Sequence, residues 1–328
     1  AQQYGAQVDK RKIVLDADIK AFGKNPIGNG PYKLKSWDVS KSITVVKNPD
    51  YKGSRTVKNG GIEFRVYTDE DSAYADVLAD AQRLGLAEPD PTADVEGYDA
   101  ARKVAIMASI AFNSRVTMNQ VFTEGIRRIS PVDLAMAHEM GYAVKLLAHA
   151  YRSDAGIDVR VHPTMIPESH QLATVNGVFN AIYTVGDAAG ENMFFGEGAG
   201  AGPAASAVMG DVLEVARHLQ MGIKPIVGCT CTDNLPILSV EDLHTKYYIR
   251  FVVADRSGVL ASAADIFAKY DVSVKTVTQR GNAARDDVDL VFVTHTAEER
   301  NVRKAIDDIL ALEGVVTGGF PSVIRVQD

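Results

Sequence analysis

The sequence predicts an α+β protein built in three parts, and three observations carry that reading. Residues 31–71 alternate with a period of two, residues 72–235 switch between helical and alternating patterns, and the tail from residue 246 reads as β-α-β-β-α-β. The parts also differ as material. Residues 1–71 hold 13 Lys and Arg against 9 Asp and Glu, net +4, whereas residues 72–328 hold 22 against 33, net −11.

The N-terminal part, residues 1–71, offers three strand-like stretches: "PYKLKSW", then "SITVVK" after "DVSK", then "GGIEFRVYTD" opened by the turn signal Asn59, Gly60 and Gly61. Their many lysines suit edge strands, and three strands without a covering helix make a weak independent core. At "DEDSAYADVLADAQRLGLAE" the period becomes helical, with Ala73, Val77, Leu78, Ala81, Leu84 and Leu86 spaced mostly by three and four. "GYDAARKVAIMASIAF" predicts a second helix; residues 104–112 carry no charge, so burial nearly all round is expected there. "SPVDLAMAHEMGY" has a capped start, with Ser130 at the N-cap and Pro131 at the first helical position.

Strands follow in "AVKLLAHAYR" and "GIDVRVHPTMI" and, after a short helical stretch near Gln171, in "GVFNAIYTVGD" and "NMFF". The turn signals "SDAG" and "DAAGE" make hairpin partners of them, hence an antiparallel or mixed sheet, and the helix "AASAVMGDVLEVARHLQM" closes the unit. Beyond the loop "CTCTDNLPILSVEDLHTK", the tail "YYIRFVVAD", "GVLASAADIFAKY", "VSVKTVTQ", "DVDLVFVTH", "ERNVRKAIDDILALE", "GFPSVIRVQ" predicts a ferredoxin-like βαββαβ sandwich. In its first helix Val259, Leu260, Ala263, Ile266 and Phe267 form the packing stripe.

Composition narrows the function classes. With 46% hydrophobic residues over 328 positions the chain can bury real cores, and no apolar run approaches the roughly 18 residues of a membrane helix. A net charge of −7 and the lack of a basic patch argue against nucleic acid as a partner. Cys229 and Cys231 are too close for an ordinary structural disulfide and no second Cys or His pair completes a metal site, so two buried thiols in the cytosol are expected, and no metal.

Chemistry concentrates in "AEPDPTADVEGYDAARK". On a helix starting near Gly97, Asp99 and Lys103 share a face, with Ile106 and Ile110 expected to continue it inward. Such a pair can be an ordinary i,i+4 ion pair. It can also be an acid/base lysine held by a carboxylate, provided desolvation brings the amine into a useful range. Pro89 and Pro91 stiffen the approach, so that Glu88 could reach the same site and accept a substrate ammonium. Gly196, Gly198, Gly200 and Gly202 precede a helix, where backbone N–H groups can meet an anion or cofactor or simply make tight turns. The histidines form no metal-like pair.

From residue 74 onward the sequence resembles homoserine dehydrogenase. The motifs "YADVLADAQRLGLAEPDPTADVEGYDAARKVAI", "EMGYAVKLLA", "VHPTMIP", "VNGVFNAI" and "GEGAGAGPAASAVMGD" come in the family's order, and "DRSGVLASAADIFAKYDVSV" resembles the signature of an ACT regulatory domain. The resemblance implies a catalytic domain over residues 72–235 and an ACT domain over 246–328. It implies interconversion of aspartate semialdehyde and homoserine with NAD or NADP, Lys103 as the catalytic proton donor, and Asp99, Asp94 and Glu88 as substrate-binding carboxylates. Gly198, Gly200 and Gly202 would close over the nicotinamide side. Threonine would act as effector near Asp255 and Gly258, and a cytoplasmic homo-oligomer is expected. Ala204 stands where the family usually has threonine, and Ser257 where many relatives have proline.

The family's N-terminal Rossmann domain finds no counterpart motif before residue 72. Residues 22–78 instead resemble an internal piece of the peptide-binding proteins of ABC transporters, with the join expected between Ser72 and Asp80. Two other functions follow as alternatives, a threonine-sensing ACT protein without catalysis and a peptide-binding module.

Overall fold

A computed structural model describes residues 31–38, 42–52, 61–65, 90–223, 231–281 and 287–327. The helix expected over "DEDSAYADVLADAQRLGLAE", together with Glu88 and Cys229, lies outside the described residues. The chain divides into two compact units, residues 1–84 and 85–328.

In the first unit β1 (Tyr32–Asp38), β2 (Ser42–Lys47) and β3 (Gly61–Arg65) form an antiparallel sheet in that order, at the three stretches that alternate in sequence. A register shift between Leu34 and Ser36 bends β1, the irregularity that a bulged edge strand uses against further pairing.

The second unit opens with the single turn α1 (Thr92–Val95) and the longer α2 (Tyr98–Ala111), joined at Gly97, whose φ of +78° favours glycine. The two-residue β4 (Phe122–Thr123) leads to α3 (Pro131–Glu139). Ser130 caps α3 as expected: Ser130 N donates to Asp133 Oδ2 at 2.9 Å while Asp133 N donates back to Ser130 Oγ, with Pro131 at the first position. The long hairpin β5 (Tyr142–Ser153) and β6 (Gly156–Pro167) pairs over its whole length, and a 3₁₀ turn at Gln171–Thr174 precedes β7 (Phe179–Gly186) and β8 (Gly190–Glu197). Helix α4 (Ala201–Met221) follows. The tail supplies β9 (His244–Ala254), α5 (Val259–Lys269), β10 (Val274–Gly281), β11 (Asp287–Thr294), the short β12 (Ala297–Glu298), α6 (Glu299–Leu310) and β13 (Ser322–Val326).

One eight-stranded sheet runs through both halves of this unit, in the order β10-β11-β9-β13-β6-β4, with β12 on β9 and β5 on β6. Because β5 occupies one edge of β6 along its whole length, β4 and β13 take successive stretches of the other edge, both parallel to β6. Strand β13 is the seam. It pairs antiparallel with β9 from Ser322 to Val326 and, at Arg325 and Val326, parallel with Thr164 and Met165 of β6.

Cores form on both faces. Helices α5 and α6 cover Tyr247, Ile249, Phe251, Leu290 and Phe292 through Val259, Ala263, Phe267, Val302, Ala305 and Ile309. On the opposite face α3 packs Met136 and Ala137 against Met165, Tyr248, Val291 and Ile324, while α2 packs Ala101, Val104, Ala105 and Ala108 against Ile157, Val159 and Val161. Leu260 departs from the expected stripe of α5 and is exposed. The hairpin β7–β8 forms a two-stranded sheet of its own rather than joining β5–β6.

Helix α2 departs further from expectation. The uncharged run 104–112 is covered on one face only, and Ile106 and Ile110 are 62% and 66% exposed. The narrow face of Ala101, Val104, Ala105 and Ala108, spaced by three and four, packs closely on β6 and turns the isoleucines outward. Cys231 is half-buried rather than buried.

Candidate active site

Asp99 and Lys103 stand on the outward face of α2, their charged atoms 2.5 Å apart. Asp99 occupies the first turn, where a carboxylate complements the N-terminal end of the helix dipole. The turn preceding it is tightly built: at Gly97 a Cβ would stand 3.1 Å from Val161 Cγ1, so α2 leaves the sheet at one fixed place. Asp94 lies one short helix earlier, exposed, with its carbonyl accepting from Gly97 N at 3.1 Å. Asp90 accepts from Thr92 N at 3.0 Å, and the Thr92 hydroxyl and this amide together hold its carboxyl below the usual value.

Lys103 is 57% exposed and Asp99 40%. The dry pocket expected around the lysine is therefore not built by the described residues, because Ile106 and Ile110, expected to bury it, point away from the sheet.

The glycine loop lies between β8 and α4. Gly198 N donates to Val178 O at 3.1 Å, and a Cβ there would fall on the exposed Asn180 side-chain amide, which would have to swing aside. Gly200, with φ +119°, precedes α4, and nothing lies within 4 Å of where a Cβ would stand at Gly196 or Gly202. Among the described residues no hydrogen bond or ion pair joins this loop to Asp94, Asp99 or Lys103. The effector candidates do come together. Asp255 and Gly258 line a cavity of about 260 Å³ with Arg256, Ser257 and Gln279, and Gln279 Nε2 donates to Asp255 Oδ1 at 3.3 Å. Gly258 has φ +93° and starts α5 with open space around it.

Two buried charge clusters escaped sequence reasoning. On the α3 face the Asp133 carboxylate, 0% exposed, accepts from Arg250 Nε at 2.6 Å and Nη2 at 3.0 Å, from Tyr248 OH at 2.9 Å and from both Ser130 donors. Burial would raise its pKa, but Arg250 and Ser130 outweigh that and hold it below the usual value. On the α6 face Arg325, 3% exposed, binds both oxygens of Glu299 at 3.0 and 2.5 Å and Glu124 Oε2 at 2.7 Å. Glu299 also accepts from Tyr247 OH at 2.9 Å and Arg303 Nε at 2.8 Å, and is likewise held ionised against its burial by Arg325. Beside them the stacked rings of His149 and His162, 5.0 Å apart, stay neutral: burial with Arg160 and Arg325 nearby pushes His149 down to about 3 and His162 well below its usual value. The available signal was one arginine inside each of two otherwise apolar strands, "YYIRFVVA" and "SVIRV".

A family model for homoserine dehydrogenase matches residues 53–213, and one for the ACT domain matches residues 247–314. The homoserine dehydrogenase of Corynebacterium glutamicum is 45% identical over 259 residues, covering 77% of this chain and 57% of that protein. That of Synechocystis is 41% identical over 316 residues, covering 91% of this chain and 72% of its own. Among solved structures, a homoserine dehydrogenase from Thiobacillus denitrificans superposes with a TM-score of 0.68 at 40% identity, over 78% of this chain and 58% of that one. One from S. aureus gives 0.53 at 29%, over 78% and 59%. The chain thus spans less than two thirds of most of these relatives.

Proposed function

The chain belongs to the homoserine dehydrogenase family, and from that premise we propose that its catalytic region interconverts aspartate semialdehyde and homoserine, with Lys103 as the proton donor and acceptor. The observation that carries the assignment is the Asp99–Lys103 pair at the head of α2, open outward and held at 2.5 Å. In the reducing direction Lys103 Nζ gives a proton to the carbonyl oxygen as negative charge develops there, and in the oxidising direction it takes that proton back. Asp99 keeps the ammonium aimed. Asp94 and Glu88 would meet the substrate ammonium, Glu88 from outside the described residues.

A nicotinamide cofactor, NAD or NADP, supplies or accepts the hydride when bound. The loop at Gly198, Gly200 and Gly202 suits its nicotinamide side, since bare backbone with open space at Gly202 lets a ligand approach the start of α4. Among the described residues we assign only that side of the cofactor site.

We assign residues 72–235 as the catalytic domain and 246–328 as an ACT domain of ferredoxin-like topology, a reading supported by the β10-β11-β9-β13 strand order with α5 and α6 on one face. Threonine is the proposed effector, in the cavity at Asp255 and Gly258. The exposed Val208, Val212, Leu213 and Leu219 of α4 support a homo-oligomer. We place the protein in the cytoplasm on its sparse cysteines; no helix among the described residues is long and apolar enough to cross a membrane. The likeness of residues 22–78 to peptide-binding proteins stays a proposal resting on those residues. The Synechocystis match, at 91% of the chain, also reaches into residues 1–71.

The test is NADH or NADPH oxidation with aspartate semialdehyde, for the wild type and for Lys103→Ala. Activity lost in the variant with an unchanged melting curve supports the role of Lys103. Equal nonzero rates would remove it.

A further inference from the structure

We propose that Glu124 and Arg325 are positioning residues for the Asp99–Lys103 site, their ion pair being the contact through which the effector-binding module grips the turn from which α2 departs. The meaning of this link rests on the dehydrogenase and threonine readings above; its geometry does not.

The link has three contiguous parts. On the regulatory side the Arg325 guanidinium is immobilised by Glu299, which is itself tied to β9 through Tyr247 and to α6 through Arg303. At the junction Arg325 Nη1 donates to Glu124 Oε2 at 2.7 Å, where β4 and β13 follow one another along the same edge of β6. On the catalytic side residues 124–127 clasp the corner between α1 and α2. Glu124 N donates to Val161 O at 2.8 Å, Ile126 N to Val95 O at 2.9 Å and Arg127 Nε to Glu96 Oε1 at 2.7 Å. Between them Gly125 lies so close to α1 that a Cβ would sit 2.2 Å from Val95 O and 2.5 Å from Glu96 Cα. A corner packed without slack transmits displacement rather than absorbing it.

The effector cavity connects to the same hub. Tyr247, which holds Glu299, and Val253 and Ala254, which line the cavity, belong to one strand, β9, six and seven residues or about 20–23 Å apart. The other inter-module ion pairs reach elsewhere: Asp133–Arg250 and Glu139–Arg280 both end on α3 and touch neither α1 nor α2. Beside the Glu124–Arg325 pair, Arg303 and Arg325 also lie over the Phe122 ring at 5.2 and 5.4 Å, and Arg128 over the Phe320 ring at 4.6 Å.

Hydrogen exchange read by mass spectrometry over peptides containing residues 95–103 tests the link, with threonine binding followed in parallel by thermal shift. Wild type, Glu124→Ala, Glu124→Gln and the control Glu139→Gln are compared. Glu124→Ala should fold, because Arg325 keeps both oxygens of Glu299. In the wild type and in Glu139→Gln, saturating threonine should change exchange over 95–103 by threefold or more. In Glu124→Ala threonine should still bind within about threefold of the wild-type Kd, yet leave residues 95–103 unchanged, with Glu124→Gln intermediate because its amide still offers an acceptor. A threonine response over 95–103 that survives in Glu124→Ala, or is missing from the wild type while threonine binds, overturns the proposal. If threonine does not bind at all, the effector reading fails separately and the pair is judged from unliganded rates. Glu124→Ala should then speed exchange over 95–103 by tenfold or more while β9 and β11 amides keep their rates; unchanged rates over 95–103 overturn it.

Discussion

Replacing Asp133 by asparagine should unfasten one face of the sheet at a predictable cost. The carboxylate is fully buried and shares its two oxygens among five donors: Oδ1 takes Tyr248 OH and Arg250 Nε, and Oδ2 takes Arg250 Nη2 and both Ser130 donors. An asparagine whose oxygen stands in the place of Oδ1 presents an NH₂ group to three donors at the other position. Breaking a buried ion pair typically costs about 3–5 kcal/mol, and the lower figure applies because Arg250 retains Asp289 at 2.9 Å. For the 244-residue unit from 85 to 328, about 3 kcal/mol corresponds to a fall in Tm of roughly 6–12 °C. The sign with pH follows from linkage. The folded state holds Asp133 below the ordinary value of 3.8, so its contribution is complete above that value and is lost as pH falls through the folded pKa. Urea unfolding of both proteins at pH values from 7 to 3 reads the difference directly. A gap under about 1 kcal/mol at pH 7, or one that does not narrow below pH 4, would refute the assignment of Asp133 as the ionised partner of Arg250.

Other substitutions probe the turns that aim the site. Gly97→Ala should cost about 1–2 kcal/mol by thermal or urea unfolding, since φ is +78° and Val161 stands against the new methyl group. Gly125→Ala should cost at least about 1–3 kcal/mol, because backbone atoms of Val95 and Glu96 cannot yield as a flexible side chain would. Gly258→Ala should weaken any thermal shift by the proposed effector threonine about tenfold in effective concentration, since φ at this cavity-lining residue is +93° and alanine there costs about 1–2 kcal/mol of backbone strain. Glu139→Gln, which removes an exposed pair with Arg280, should leave Tm unchanged in differential scanning calorimetry.

What could be read beforehand was whatever is written locally. Alternation marked β5 and β6, Ser130 followed by Pro131 marked the cap of α3, and the order of elements in the tail marked β9, β10, β11 and β13 but not the two-residue β12. Local pattern also brought Asp99 to Lys103, because i and i+4 meet on any helix. It misled over α2, where a run of uncharged residues suggested burial all round. Hydrophobicity says which side chains tolerate burial, whereas close packing on β6 selected the small face and left Ile106 and Ile110 outside. The Arg325 cluster was out of reach, since Glu124, Glu299 and Arg325 meet only through strand order, 201 residues apart at the widest.

The seam at β13 limits how this protein can be dissected. An excised fragment 246–328 would carry its final strand with a bare hydrogen-bonding rim at Arg325 and Val326, and the remaining piece would keep the complementary rim on β6 at Thr164 and Met165. Each rim invites neighbouring molecules to zip on. Cutting between the halves would also leave the Glu124 and Asp133 carboxylates of one product without their guanidinium partners, which stay paired with Glu299 and Asp289 on the other. The two halves of this chain thus share one sheet and have to be handled as one folded body.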